Sequence, residues 1–111
     1  VDLNRACPVQ LGVIDGILTC EGGAGPWDTL LPADAGLLLA GFDPVAVDAV
    51  GTAVIGFDPE APAGTRPFYG GENIMALAAQ AGLGVNRPAD IQVVGESIES
   101  VRFPFRLPGE V

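Results

Sequence analysis

The chain has 111 residues, of which 49% are hydrophobic and 17% charged, a balance that excludes a disordered or fibrous protein. Fourteen acidic residues against five arginines give a net charge of −9, which argues against nucleic acid and anionic membranes as partners. There is no histidine, so the chain has no imidazole base and no histidine-ligated metal site. The mean hydropathy of +0.41 is high for this length, so we expect some apolar surface to be covered by another polypeptide.

The cysteines and the apolar segments indicate a cytoplasmic protein. Cys7 and Cys20 are too few for a disulfide scaffold and form no CxxC motif, so we expect reduced cysteines that are buried or structural, and no iron–sulfur cluster in this chain. No signal peptide opens the sequence. The apolar stretch 35–57 contains Asp43, Pro44 and Asp48 near its middle, which argues against a membrane span.

The first half of the chain predicts two strands and a buried helix. Residues 10–17 have the apolar character of a strand that closes at an Asp15-Gly16 turn, and residues 19–34 form a Gly/Pro-rich loop. Residues 36–41, all apolar or glycine, are typical of a strand buried on both faces. Asp43 then fits the N-cap of a helix with Pro44 at its first position, and Gly56 fits its end. This helix is apolar nearly all round, so it must be buried on most faces.

The second half predicts an amphipathic helix followed by two strands. Residues 58–67 form a loop, and residues 72–81 predict a helix with its apolar stripe at Ile74, Leu77, Ala78 and Ala81. Residues 90–95 and 101–107 predict strands, the last at a sheet edge because of Pro104. We therefore expect a single domain over residues 1–111, of α/β or α+β class, with a mixed sheet, one buried helix and one amphipathic helix.

Four carboxylates are the candidate site residues, since each lies at a turn or a helix start. Asp15 and Glu21 follow the first strand, and Asp43 follows the second. Ligands gather at the carboxyl ends of parallel strands, so these three side chains would meet if the two strands run parallel. Their oxygens would then suit Mg²⁺, Ca²⁺ or Mn²⁺. An antiparallel pair would place Asp15 and Asp43 at opposite ends and remove the site.

Each candidate also has a structural interpretation. Asp43 is better explained as a helix cap than as a ligand. Asp48 lies inside the apolar helix and needs a partner, for which a structural hydrogen bond is favoured over a cation. Glu21 precedes a glycine-rich loop in which Gly22 and Gly25 would let the backbone approach a ligand or form an anion-binding nest, although a rigid turn is an equal alternative.

Short motifs follow one another in a recognisable order along most of residues 2–95. They are Asp2-Leu3-Asn4, Val13-Ile14-Asp15-Gly16, Glu21-Gly22 with Gly25-Pro26, the run from Gly41 to Ala49, Gly56-Phe57-Asp58-Pro59 and Ala81-Gly82-Leu83-Gly84. Together these motifs resemble the prokaryotic domain-of-unknown-function family 362. The resemblance implies that this chain is the carboxyl-terminal part of a longer domain, in a family whose members are often fused to ferredoxin-type iron–sulfur domains. It implies no general activity.

Two functional hypotheses follow. The favoured one is a structural or partner-binding half of a larger domain, whose partner is a missing amino-terminal half, a redox domain or a second copy of the chain. The alternative is an enzyme or ligand-binding domain with a carboxylate site at Asp15, Glu21, Asp43 and Asp48. Such a site could hold a divalent cation, and a carboxylate of raised pKa would act as the general acid or base.

Overall fold

The chain folds around one helix, which packs against a two-stranded antiparallel sheet. A computed structural model describes residues 1–23, 25 and 29–110. The elements, in chain order, are α1 (Asp2–Ala6), β1 (Gly12–Gly16), β2 (Cys20–Glu21), β3 (Leu31–Pro32), β4 (Leu37–Gly41), α2 (Pro44–Val54), α3 (Ile74–Gln80), a 3₁₀ turn (Pro88–Asp90) and α4 (Ile98–Val101).

The strands form two separate antiparallel pairs. β1 pairs with β4 in a register that places Gly12 opposite Gly41, and β2 pairs with β3. The parallel arrangement on which the candidate site depended is therefore wrong. Its physical reason lies in the connection: parallel neighbours need a crossover, usually a helix, whereas the short β2–β3 ribbon only turns the chain back on itself. The α+β class is confirmed, but with two small sheets in place of one mixed sheet.

Helix α2 begins where the sequence predicts. Asp43 is its N-cap and Pro44 its first residue, and the helix ends at Val54 with Ile55 as C-cap. Five of its side chains are buried: Val45, Val47, Ala49, Ala53 and Val54. Among the described residues α2 is the longest helix, and none has the length and hydropathy that a bilayer-spanning segment requires.

Glycines allow α2 to approach the sheet closely. A Cβ atom added at Gly41 would lie 2.8 Å from Cγ2 of Val47, and one added at Gly51 would lie 3.1 Å from Cδ1 of Ile14. Gly12, the partner of Gly41 in the ladder, also lies against Val47. Because these glycines have no side chains, α2 lies closer to the inner face of the sheet than larger residues would allow.

Helix α3 has a different buried face from the one predicted. Met75 and Ala78 are buried and form a core cluster with Val45 and Ala49 of α2. Ile74, the first residue of the predicted stripe, is 65% exposed. The helix is only seven residues long, so a single pair of side chains one turn apart decides which face packs.

The carboxyl-terminal segment does not form the two predicted strands. Residues 90–95 contain the end of the 3₁₀ turn and no strand, and α4 occupies the start of the other segment. The backbone N–H of Phe103 donates to the Val54 carbonyl (2.9 Å), and that of Phe105 donates to Ile55 (2.9 Å). The last carbonyl groups of a helix have no partners within the helix. The carboxyl-terminal segment supplies N–H donors to those of α2, so it pairs with the end of this helix and not with a strand.

We predict that Gly41→Ala destabilises the protein by about 1–3 kcal/mol, because the added methyl group meets the stiff Val47 side chain and forces the helix from the sheet. Urea unfolding followed by circular dichroism measures the change. Gly70→Ala is the matched control, since its Cβ would have no neighbour within 4 Å. Equal stability of the two variants would contradict the close-packing explanation.

Candidate functional site

The structure separates the four candidate carboxylates. Asp15 lies within β1 opposite Leu38, while Asp43 lies beyond the far end of β4, where Gly41 pairs with Gly12. Throughout the described part of the chain, no three Asp, Glu or Cys side chains form a group that could hold a metal ion. The divalent-cation hypothesis thus stays a prediction, without a set of neighbouring ligands to support it.

Asp43 joins the start of α2 to a distant loop. Its Oδ1 accepts a hydrogen bond from the Ala46 N–H (3.0 Å), which is the N-cap bond, and its Oδ2 accepts one from the Val85 N–H (2.9 Å). A Cβ atom at Gly84 would collide with the same carboxylate, so the glycine lets the loop reach it. Both oxygens are used structurally, in agreement with the cap interpretation.

Glu21 is held by the carboxyl-terminal segment. Its Oε2 accepts a hydrogen bond from the backbone N–H of Arg106 (2.6 Å), and its Oε1 accepts one from Nε of the same residue (2.8 Å). The Glu21 side chain is only 8% exposed, and the Arg106 guanidinium beside it holds the pKa of this carboxyl below its usual value. The charge of Glu21 is thus already neutralised by a residue of the same chain.

Gly22, in the glycine-rich loop, is also hydrogen-bonded to the carboxyl-terminal segment. The Gly22 N–H donates to the Arg106 carbonyl (3.1 Å), and Gly22 has a φ of 81°, a conformation that glycine adopts without strain. Gly22 is therefore bound to the chain itself rather than open to an anion. The motif continues through Gly25 to Pro26, and Pro26 lies outside the described residues.

Asp15 and Asp48 are exposed. Oδ1 of Asp15 accepts a hydrogen bond from the Ile17 N–H (3.0 Å), which closes the turn after β1. Asp48 lies beside a shallow pocket between α1, α2 and α3, where loss of hydration raises the pKa of its carboxyl. Within the described chain no hydrogen bond to the Asp48 carboxylate is found, so the predicted structural hydrogen bond is not seen there.

Both cysteines are free and exposed. Cys7 follows α1 and Cys20 begins β2. The expectation that they are buried is therefore wrong, because both lie on short elements outside the α2 core.

Two apolar surface features were not identified from the sequence. The first is the outer face of the β1–β4 sheet, the face turned away from α2. Val13 and Leu38 on this face are 61% and 62% exposed, and flanking Leu11 and Phe42 are 56% and 86% exposed. The expectation that residues 36–41 form a strand buried on both faces is wrong, because Leu38 and Ala40 are exposed while Leu39 and Gly41 face α2. We define the outer face by Leu11, Val13, Leu38, Ala40 and Phe42.

The second feature is a groove of about 800 Å³ along β4. All five β4 residues contribute to its lining, and α2 contributes Ala46, Val47, Val50 and Val54. The opposite wall is the segment 90–96. We call this feature the β4 groove.

The geometry therefore defines a small α+β fold with exposed apolar surfaces, in which Asp15, Asp43 and Glu21 are engaged in a turn, a helix cap and an ion pair. The model of the family described as Domain of unknown function (DUF362) matches residues 1–53 of the chain. This match confirms the resemblance that the motifs indicate for the first half of the chain. No curated protein and no solved structure matches the chain.

Removal of the Asp43 carboxylate is expected to destabilise the protein. Asp43→Ala removes the N-cap and the bond to Val85, so we predict a loss of about 1–2 kcal/mol in the free energy of unfolding. Asp43→Ser, which keeps one capping oxygen, should recover part of that loss. Urea unfolding measures both, and an unchanged stability of Asp43→Ala would contradict the two-bond role.

Acid is expected to weaken the two ion pairs that hold the carboxyl-terminal segment. Arg66 lowers the pKa of Glu110 from 4.5 to about 2, and Arg106 lowers that of Glu21. A depressed carboxyl pKa gives stability that is present above the unfolded value and is lost as pH falls through the folded one. Stability should therefore decrease between pH 4.5 and about 2.

Urea unfolding at several pH values measures this dependence. Glu110→Gln should flatten part of it, because the neutral amide has no proton to bind in this range. Glu60→Gln is the control, since Glu60 makes only a long 3.5 Å ion pair with Arg87. An identical pH dependence in wild type and Glu110→Gln would contradict the contribution of this pair.

Proposed function

We propose that this chain is a structural and partner-binding module that works by packing its outer face against another polypeptide. The observation that supports the proposal is the row of exposed apolar side chains on that face, where Val13 lies opposite Ala40 and Leu38 opposite Asp15. Monomeric proteins rarely expose a large contiguous apolar patch, and such patches mark interaction sites.

The burial of this face would supply the free energy of association. Removal of apolar surface from water is worth roughly 25 cal/mol per Å², and aromatic side chains such as Phe42 contribute most at interfaces. Sheets commonly pack face to face through side chains that alternate along the strands, as those of the outer face do. A sheet or a helix with an apolar stripe would fit this surface.

The position of the acidic side chains supports a non-catalytic role. Asp43 caps α2, Glu21 pairs with Arg106 and Asp15 closes a turn, so these carboxylates already have intramolecular partners. The unpaired cysteines agree with a reducing cytoplasmic location, which we include in the proposal.

Measurement of self-association tests this function directly. When its partner is absent, we expect the outer face of one copy of the chain to bind the outer face of another. We expect sedimentation velocity to show an apparent mass that rises above 11.3 kDa with protein concentration. Val13→Glu places a charge in the outer face and should return the chain to the monomer. It should also reduce the fluorescence of the dye ANS, which binds exposed apolar surface.

Leu18→Glu is the matched control. Leu18 is 79% exposed but follows β1 and lies outside the outer face, so this variant should associate like wild type. A wild-type chain that stays monomeric and binds no more ANS than Val13→Glu would contradict the proposed function.

A further inference from the structure

The β4 groove lies along a strand edge. Its lining includes every residue of β4, on both faces of the strand, and no residue of β1. β1 occupies one edge of β4, so the groove must follow the other. The floor is the apolar side of α2, formed by Ala46, Val47, Val50 and Val54.

The free edge presents backbone groups without partners. In an antiparallel pair, alternate residues direct their N–H and C=O groups to the neighbouring strand and the others direct them away. Among the described residues β4 has β1 as its single neighbouring strand, so the groups directed away from β1 point into the groove. Across the groove, none of the N–H groups of residues 92–95 donates a backbone hydrogen bond to another described residue.

The groove is similar in volume to a five-residue strand. A five-residue strand in a sheet occupies about 17 Å in length, about 4.8 Å between neighbours and about 10 Å in thickness, or roughly 800 Å³. The groove volume is about 800 Å³, and β4 supplies five residues for pairing.

The negative charge of the groove lining favours peptide strands that carry basic residues. Its lining contains three acidic residues, Asp43, Asp90 and Glu96, and no arginine, in a chain of net charge −9. These carboxylates favour cationic residues in an occupant and repel a second copy of this chain.

We propose that the β4 groove binds an extended peptide segment, apolar at its centre and basic at its ends, which adds to β4 as a third strand. Main-chain hydrogen bonds to the β4 edge provide affinity, and the apolar floor on α2 accepts alternate side chains. The basic ends lie near Asp90 and Glu96. The groove shares Leu38, Ala40 and Phe42 with the outer face, whereas Val13 lies on the outer face alone, so Val13→Glu distinguishes failure of one proposal from failure of the other.

Fluorescence anisotropy with a labelled synthetic peptide tests the site. The peptide has about five alternating valine and threonine residues with lysines at both ends. We expect saturable binding that weakens when glutamates replace the lysines. We also expect that N-methylation of alternate backbone amides reduces the affinity by about tenfold or more, because it removes strand hydrogen bonds and leaves the side chains in place.

Two variants test where on the protein the peptide binds. Ala46→Phe fills the groove floor and should abolish binding, whereas Gln80→Phe adds the same side chain to the exposed surface of α3 and should leave it unchanged. Val13→Glu, which alters only the outer face, should also leave it unchanged.

Three results would overturn the proposal. Absence of saturable binding excludes the site, and equal affinity for the N-methylated peptide excludes strand addition. Protection of the amides of residues 92–95 from hydrogen exchange in the free protein would show that the chain's own segment fills the edge.

Discussion

The packing of α2 against the β1–β4 sheet is the contact on which the other elements depend. Gly41 and Gly51 bring the helix close to the strands, and the remaining segments then attach to it. α3 packs through Met75, the loop at Val85 binds the N-cap Asp43, and the backbone at Phe103 pairs with the last turn. A single short helix thus organises segments from the whole described chain. This arrangement explains why a helix of 11 residues carries five buried side chains.

The acidic side chains serve this architecture rather than a common site. A carboxylate at a helix start accepts hydrogen bonds from N–H groups that the helix leaves unpaired. An arginine beside a carboxylate lowers the pKa of that carboxylate, and the ion pair fixes the segment that carries the arginine. Asp43 does the first and Glu21 the second. The acidic surplus that remains lies mainly on exposed surface, where it affects which partners approach and not how the core packs. The contrast between this charge and the apolar outer face is the main functional signal in the structure.

The sequence predicts the local features of this protein better than its long-range ones. Strand β4 and helix α2 could be located because GLLLAG and the Asp43-Pro44 start are strong local signals. The direction of β1 relative to β4 could not be predicted, since it depends on how the β2–β3 ribbon turns the chain. The partner of Glu21 could not be found either, because Arg106 lies 85 residues away and no spacing rule connects them. The predicted strand over 101–107 does not form, and the backbone N–H groups of Phe103 and Phe105 donate to the end of a helix.

The bond between Glu21 and Arg106 has a consequence for how the family is delimited. Residues 1–53 carry the family match, yet Glu21 in this region finds its counter-ion far downstream, and α2 ends beyond the match at Val54. A polypeptide cut at the family boundary would expose the last turn of its central helix and leave a nearly buried carboxylate without a cation. The matched segment is therefore completed by residues outside it: Arg106 supplies the cation for Glu21, and the backbone at Phe103 supplies a donor to the end of the central helix.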